Sequence, residues 1–381
     1  MKKALALLLS LVLLVGLFGG VWAEEKKEDP KEEEGLAEQG WKIFDSLYGL
    51  LGPDAVKNAD QVMERDLYNS TVNGMDFTVS EAGYDGCSLF LRCGWRIPDT
   101  ETAFGVTAAE IYGEYMPAGM NPESFVEGLR DEGNEFLAEN GIGWWYDQFW
   151  IDGKGVSLAV GAMQSVSGTN EPGEIVETDF LPLDKLGVSL NGTVRISLPV
   201  GPRPDWSEID PETHPELYDA DGSLKLPEKG VVTFELDTKD ILSQVRTFRP
   251  EQEADLSGFT AKVREAAFTP FLTYITVDLA LKSGALEAFI AENGEGETDE
   301  NGEVVFRYGP TDVVTPWLES LRLVDGNGNV LFPEQGGLQG HDEQTAEFIY
   351  QNIDTLPESL FLAPVDEDTG KADLDKAIPV I

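Results

Sequence analysis

EAGYDGCSLFLRCGWRI, residues 81–97, carries both cysteines of the chain, Cys87 and Cys93, six positions apart in a stretch that reads as one β-strand entered from a Tyr84-Asp85-Gly86 turn. Alternation on such a strand puts Cys87, Leu89, Leu91, Cys93 and Trp95 on one face and Ser88, Phe90 and Arg92 on the other, so both thiols fall on the more apolar side. Six extended residues span about 20 Å, whereas a disulfide needs Cα atoms within roughly 7 Å, so the two cannot bond while they share a straight strand. A metal site fails on the same distance, because only His214 and His341 could supplement the two sulfurs. No histidine or helix N-terminus is visible beside either thiol to activate it as a nucleophile. The stretch therefore predicts a core strand in which the cysteines are apolar filler.

The pattern recurs downstream. Phe77-Thr78, the run 81–86 (EAGYDG) and the run 88–91 (SLFL) compare with Phe259-Thr260, 265–270 (EAAFTP) and 273–276 (TYIT), at an offset of 184 residues at the Glu-Ala pair and 185 in the returning strand. A strand ending in Glu-Ala, an aromatic, a tight turn and a returning strand thus occurs once in each half. Two related β-sandwiches in tandem explain it.

Period-two patterning marks the other strands. In the first half these are 67–72 and 77–81, a hairpin turned at Asn73-Gly74, then 144–151, 155–165, 174–180 and 193–200. In the second they are 231–236, 259–265, 274–281, 304–308, 321–324, 346–351 and 360–363, with Asp-x-Asn-Gly turns at 299–302 and 325–328. Trp41, Phe44, Leu47, Tyr48 and Leu51 recur at helical spacing, so 37–51 predicts an amphipathic helix that ends at Gly52-Pro53 and docks on the first β domain. A second helix, 122–139, has Asn121 as N-cap and Asn140-Gly141 as stop, and reads as an insertion between strands. Proline and acids concentrate in 201–229, which reads as a linker. The expected layout is a first sandwich at 36–200 and a second at 230–381.

The runs FTVSEAGYDGCSLFL, FTAKVREAAFTPFLTYITV, LRLVDGNGNVLFP and LPESLFLAPVDEDTGKADLDKAIPV resemble an immunoglobulin-like ectodomain family of uncharacterised function, found in Gram-positive bacteria and often forming the outer part of single-pass, anti-sigma-factor-like proteins. The resemblance implies two tandem Ig-like β-sandwiches in a mainly β chain. Its motifs are structural turns and strands, and it implies no catalytic residue.

Residues 1–23 read as a signal peptide: Lys2 and Lys3, an apolar run from Ala4 to Phe18, then Val21-Trp22-Ala23 in the small-x-Ala pattern of a cleavage site. Cleavage after Ala23 would start the mature chain at Glu24 and make it secreted or cell-surface; an uncleaved N-terminal membrane anchor is the alternative. Residues 24–35 carry charge without apolar content, as a disordered acidic tether does. Losing Lys2 and Lys3 with the leader, which holds no acid, takes the formal charge from -43 to -45. A surface of that sign repels nucleic acid and anionic lipid and sets nucleic-acid binding aside.

Functional candidates are few. In the aromatic run 144–150, alternation aligns Trp144, Tyr146 and Trp150 on one face, where flat rings could stack on a sugar or an envelope polymer, while Trp145, Phe149 and Ile151 share the other. Covering of the second face by helix 122–139 is the structural alternative. Asp219, Asp221, Asp325 and Asn327 sit in fragments of a calcium loop, none with the full ligand spacing, so turns are expected there and calcium association at best weak. No acyl-transfer motif and no phosphate-binding loop is present. Carboxylate pairs at glycosidase spacing arise by accident among 70 acids. The expectation is a protein without catalysis or cofactor that interacts with an extracellular protein or glycan. A carbohydrate-binding module is the first alternative and a glycan-active enzyme the second.

Overall fold

The computed structural model describes residues 41–43, 51, 55, 57–72, 75–96, 148–157, 163–168, 174–200, 214–220, 222–228, 230–294, 296–298, 304–332, 337–366 and 369–381. Contacts divide the chain into Met1–Gly40 and Trp41–Ile381, and every described residue belongs to the second unit. The signal peptide with its Ala23 site, the acidic tether and helix 122–139 lie outside the described residues. Among those described, no helix is long and apolar enough to cross a membrane.

The chain is mainly β. Its first half runs β1 (Met63–Val72), β2 (Met75–Tyr84), β3 (Ser88–Arg96), β4 (Gln148–Ile151), β5 (Lys154–Ser157), β6 (Met163–Gly168), β7 (Glu174–Pro182), β8 (Thr193–Pro199) and β9 (Val231–Asp237). The second half runs α1 (Ile241–Gln244), β10 (Arg246–Phe248), β11 (Ala254–Asp255), β12 (Phe259–Phe268), β13 (Leu272–Leu281), α2 (Ala285–Asn293), β14 (Gly296–Thr298), β15 (Val304–Arg307), α3 (Pro310–Ser320), β16 (Leu321–Asp325), β17 (Gly337–His341), β18 (Thr345–Gln351), β19 (Leu360–Asp366), β20 (Lys371–Ala372) and β21 (Ile378–Pro379).

Two antiparallel sheets have matching order, β1-β2-β3-β7-β6 and β10-β12-β13-β18-β17, with β11 also on β12. The match extends to register. Met63 pairs with Gly83 and Thr247 with Ala267; Ser70 with Phe77 and Ala254 with Ala261; Val79 with Cys93 and Val263 with Val277. Each second-half partner lies 184 residues beyond its first-half counterpart. Even the bulges correspond: the β2–β3 register slips between Val79 and Glu81, and the β12–β13 register between Val263 and Glu265. A bulge is a local kink set by sequence, so its recurrence at one position marks the two hairpins as one design. The offset of 185 read for the returning strand is corrected to 184, because Phe90 lies opposite Gly83 as Tyr274 lies opposite Ala267.

Each half adds a smaller sheet, β5-β4-β8-β9 in the first, and in the second β16 paired to β19, with β20 and β21 also on β19. In the second half one core joins both sheets: Val263, Ile275 and Phe348 pack with Leu323, Leu362 and Ile378, and Val314 and Leu318 of α3 close one side. β9, read from sequence as the opening strand of the second half, instead pairs with β8 along its whole length, from Thr193 with Asp237 to Pro199 with Val231. Val232, Phe234 and Leu236 alternate inward on it and are buried. Residues 201–229 are therefore a connection between two paired strands of the first half, and the crossing to the second half follows Asp237. The expected strand 155–165 is divided between β5 and β6, which lie in different sheets.

Candidate functional site

The returning turn of each hairpin is built the same way. In the first, Asp85 Oδ1 accepts the backbone N–H groups of Cys87 (3.0 Å) and Ser88 (2.8 Å); in the second, Thr269 Oγ1 accepts those of Phe271 (3.2 Å) and Leu272 (2.9 Å). Asp and Thr both favour such turns because a short side-chain oxygen replaces the missing ladder partner. The two turns then meet. Thr269 Oγ1 lies 2.7 Å from Asp85 Oδ2, and the Tyr274 hydroxyl donates to the same oxygen at 2.9 Å.

Aromatic rings surround this contact. Phe90 of β3 meets Phe271 edge-on with centroids 5.3 Å apart and Phe180 of β7 at 5.4 Å, and Phe180 stacks on Tyr274 at 6.5 Å. Asp85 is 0% exposed. Burial pushes its carboxyl up to about 6, against the pull of the Ser88 and Cys87 amides and the Thr269 and Tyr274 hydroxyls. Burial also raises the Cys87 thiol and holds the Tyr274 hydroxyl well above its ordinary value. Strand alternation fails here for a physical reason: β3 and β13 are covered on both faces, because each half packs against the other at this end.

Short helices flank the junction. Asn58, within the helical residues 57–62, donates from Nδ2 to the Pro270 carbonyl (2.8 Å), and a shallow cleft of about 110 Å³ opens there beside Arg246, Asn352 and Asp354. On the opposite turn, Gly86 lies under Val245 and Ile241. Four residues before Asp85, within β2, Glu81 is buried and its two oxygens accept the N–H groups of Lys42 (2.8 Å) and Ile43 (2.6 Å), while Trp41 donates to Asp60 and carries the Arg65 guanidinium over its ring. The segment before β1 thus docks on the first half through a carboxylate.

The residues proposed from sequence are scattered. Trp144, Tyr146 and Asp221 lie outside the described residues. Trp150 is 0% exposed and its indole N–H donates to the Leu224 carbonyl at 2.8 Å, so its ring fastens the 214–228 connection and has no face free for a sugar. Phe149 on the other face is equally enclosed. Asp325 accepts the Asn327 and Asn329 amides and the Asn329 side chain, which together hold its carboxyl below the usual range; with Gly328 donating to its carbonyl, this is a closed turn. Asp219 likewise closes a turn, its carbonyl accepting from Gly222. No cluster of three or more His, Cys, Asp or Glu able to hold a metal occurs among the described residues.

Cys87, which lies in the turn just before β3 and not on the strand as expected, and Cys93 within it are not joined in a disulfide, and both are buried. Their second-half counterparts at the common offset are Phe271 and Val277, both fully buried apolar residues. What sequence reasoning missed is Asp85. It was visible only as a turn residue; the signal that it is more was its alignment with Thr269 in the echo.

No family model matches the chain, and no curated protein matches it. A conserved domain protein from Bacillus anthracis, known from its crystal structure, aligns over 85% of this chain and 90% of its own at 12% identity and a TM-score of 0.39, a likeness too slight to carry an argument.

Proposed function

We propose that this chain is a non-catalytic, secreted or cell-surface protein of two tandem Ig-like β-sandwiches that acts as a stiff interaction or spacing element toward an extracellular protein or glycan. The observation that carries the reading is the junction around Asp85. The most perturbed carboxyl of the described residues is spent on joining two halves of matched strand order and register, an arrangement that suits holding a shape. The leader-like residues 1–23 and the charge of -43 support an extracytoplasmic, highly solvated protein. Trp150 supports no stacking role, so the glycan-module alternative keeps only Trp144 and Tyr146.

The reading has two tests. N-terminal sequencing of protein released by the producing cell should start at Glu24. Small-angle scattering of residues 24–381 should give one rigid body with a short tail, unchanged by ionic strength. Turnover of a glycan, ester or peptide by that purified protein, abolished by a single carboxylate substitution, would overturn the non-catalytic assignment.

A further inference from the structure

The contacts at the junction come in exchanged pairs. Asp85 and Thr269 hold the same position in the two hairpins and touch each other. Phe90, the counterpart of Tyr274, packs on Phe271, the counterpart of Cys87; in return Tyr274 lies within the electrostatic reach of the Cys87 thiol. Asn58 reaches the Pro270 carbonyl, while α1, 184 residues beyond residues 57–60, lays Ile241, with Val245 just after it, against Gly86. Residue i meets j and j meets i, the signature of a two-fold, self-complementary surface, here formed inside one chain. Chemistry breaks the symmetry at the axis: the pair there is one carboxyl and one hydroxyl, and the ring beside it is a tyrosine on one side and a phenylalanine on the other.

We infer that Asp85 is a proton-operated latch at this junction, clasping the two halves when its carboxyl is protonated and weakening the clasp when it is ionised. The hydrogen-bond geometry serves both states. The Thr269 hydroxyl has one hydrogen and two acceptors in reach, Asp85 Oδ2 at 2.7 Å and the Leu272 carbonyl at 2.9 Å. With Asp85 ionised, Thr269 donates to the carboxylate, and the Leu272 carbonyl keeps the N–H of Thr269 at 2.9 Å. When a solvent proton binds Oδ2, the new O–H donates to Thr269 Oγ1 in place of the long Phe271 N–H contact (3.2 Å), the Thr269 hydrogen turns to the Leu272 carbonyl, and no heavy atom has to move. Tyr274 donates to Oδ2 in both states.

The ionised form is the disfavoured one because the carboxylate is enclosed and, among the described residues, no cation is turned toward it. Lys185, in the segment that hydrogen-bonds the Cys87 carbonyl through Asp184, is paired with Glu347 of β18. Asp184 and Glu265 of β12 contribute negative charge toward Cys87, while Cys87 itself, Tyr84 and Tyr274 stay neutral. α1 brings no charge. The sign follows. A carboxyl raised from 3.8 to about 6 on folding adds stability that is complete below pH 3.8 and is lost as pH rises through 6. That is about a hundredfold in the equilibrium that closes the junction. The latch is a property of the junction itself, whatever partner the surface serves.

Hydrogen exchange of the Cys87, Ser88, Phe271 and Leu272 amides at pH 5.0 and 7.5, corrected for intrinsic rates, tests it in the intact protein. Protection should fall by about tenfold at the higher pH, and Asp85→Asn, whose amide can donate to Thr269 as the protonated acid does, should abolish that fall. Infrared difference spectra should show a protonated carboxyl at pH 5.0 that titrates near 6 and is missing in the variant. Should Asp85→Asn not fold, Tyr274→Phe removes a donor to the charged form and should move the same titration to higher pH. A carboxyl already ionised at pH 5.0, equal pH dependence with and without Asp85, or a titration that Tyr274→Phe leaves in place overturns the latch.

Discussion

Gly86 and Pro270 occupy the same position in the two turns and cannot be exchanged. Gly86 has φ of +105°, a region that costs an L side chain about 1–2 kcal/mol, and a Cβ there would sit 2.3 Å from Val245 Cγ2. With overpacking added, Gly86→Ala should destabilise by about 2–4 kcal/mol in urea unfolding. Val245→Ala in that background should recover the steric part and leave the backbone part, a non-additivity expected of touching residues. The cysteines give the opposite case. Cys93 is the counterpart of Val277 and is fully buried, so Cys93→Val should change stability by less than about 1.5 kcal/mol. In the native protein a thiol reagent should find Cys87 inert, because burial both shields it and raises its pKa. The sequence argument from strand length and the missing histidine partners already pointed here, and the equivalence with Phe271 and Val277 supplies the positive reason.

At the scale of elements, one glutamate position does two jobs. Glu81 accepts two buried amides from the segment before β1, whereas its counterpart Glu265 is half-exposed and pairs with Arg249. Arg65, the counterpart of Arg249, has been drawn over Trp41 instead. Glu81→Ala leaves the Lys42 and Ile43 amides without acceptors, at about 1–3 kcal/mol for the buried donor, and should release residues 41–43 with a red shift in Trp41 emission. Glu265→Ala loses a solvent-screened pair and should cost less than about 1 kcal/mol. Of the helix expected at 37–51, residues 37–40 and 44–50 lie outside the described residues and Trp41 and Lys42 are not helical; the carboxylate that anchors 41–43 was hidden, since a Glu before Ala-x-aromatic looks identical in both hairpins. Core strands such as β9 and the first part of β12 were legible because their alternation reports burial on one face. Near Phe90 and Tyr274 both faces are buried, so period two conveyed nothing about which ring faced the other half. α3 was missed because Pro316 inside it and the β-branched Val313, Val314 and Thr315 argue against a helix; packing of Val314 and Leu318 in the second-half core outweighs that propensity.

Across the whole molecule, the place to divide the chain follows from β9 and not from composition. The proline-rich, acidic run 201–229 has every local mark of a linker, yet the strands on either side of it pair over seven positions, and Trp150 holds its Leu224 carbonyl. A fragment 36–200 would strip β8 of one ladder partner and remove the buried Val232, Phe234 and Leu236. Complete burial of such side chains is worth about 1.5–3 kcal/mol each, so that deletion approaches the whole stability of an ordinary domain. A fragment 36–245 retains the sheet and also keeps Ile241 and Val245 over Gly86. The expected outcome is that 36–245 gives dispersed amide resonances and a cooperative urea transition while 36–200 gives neither. The longer fragment still bares Phe90 and Phe180, which Phe271 and Tyr274 cover in the intact chain, so it should self-associate through that face. Sedimentation of 36–245 with and without Phe90→Ser separates the two effects, with the substitution restoring a monomer. A folded 36–200 would mean that β9 is dispensable and that the composition-based boundary was the right one.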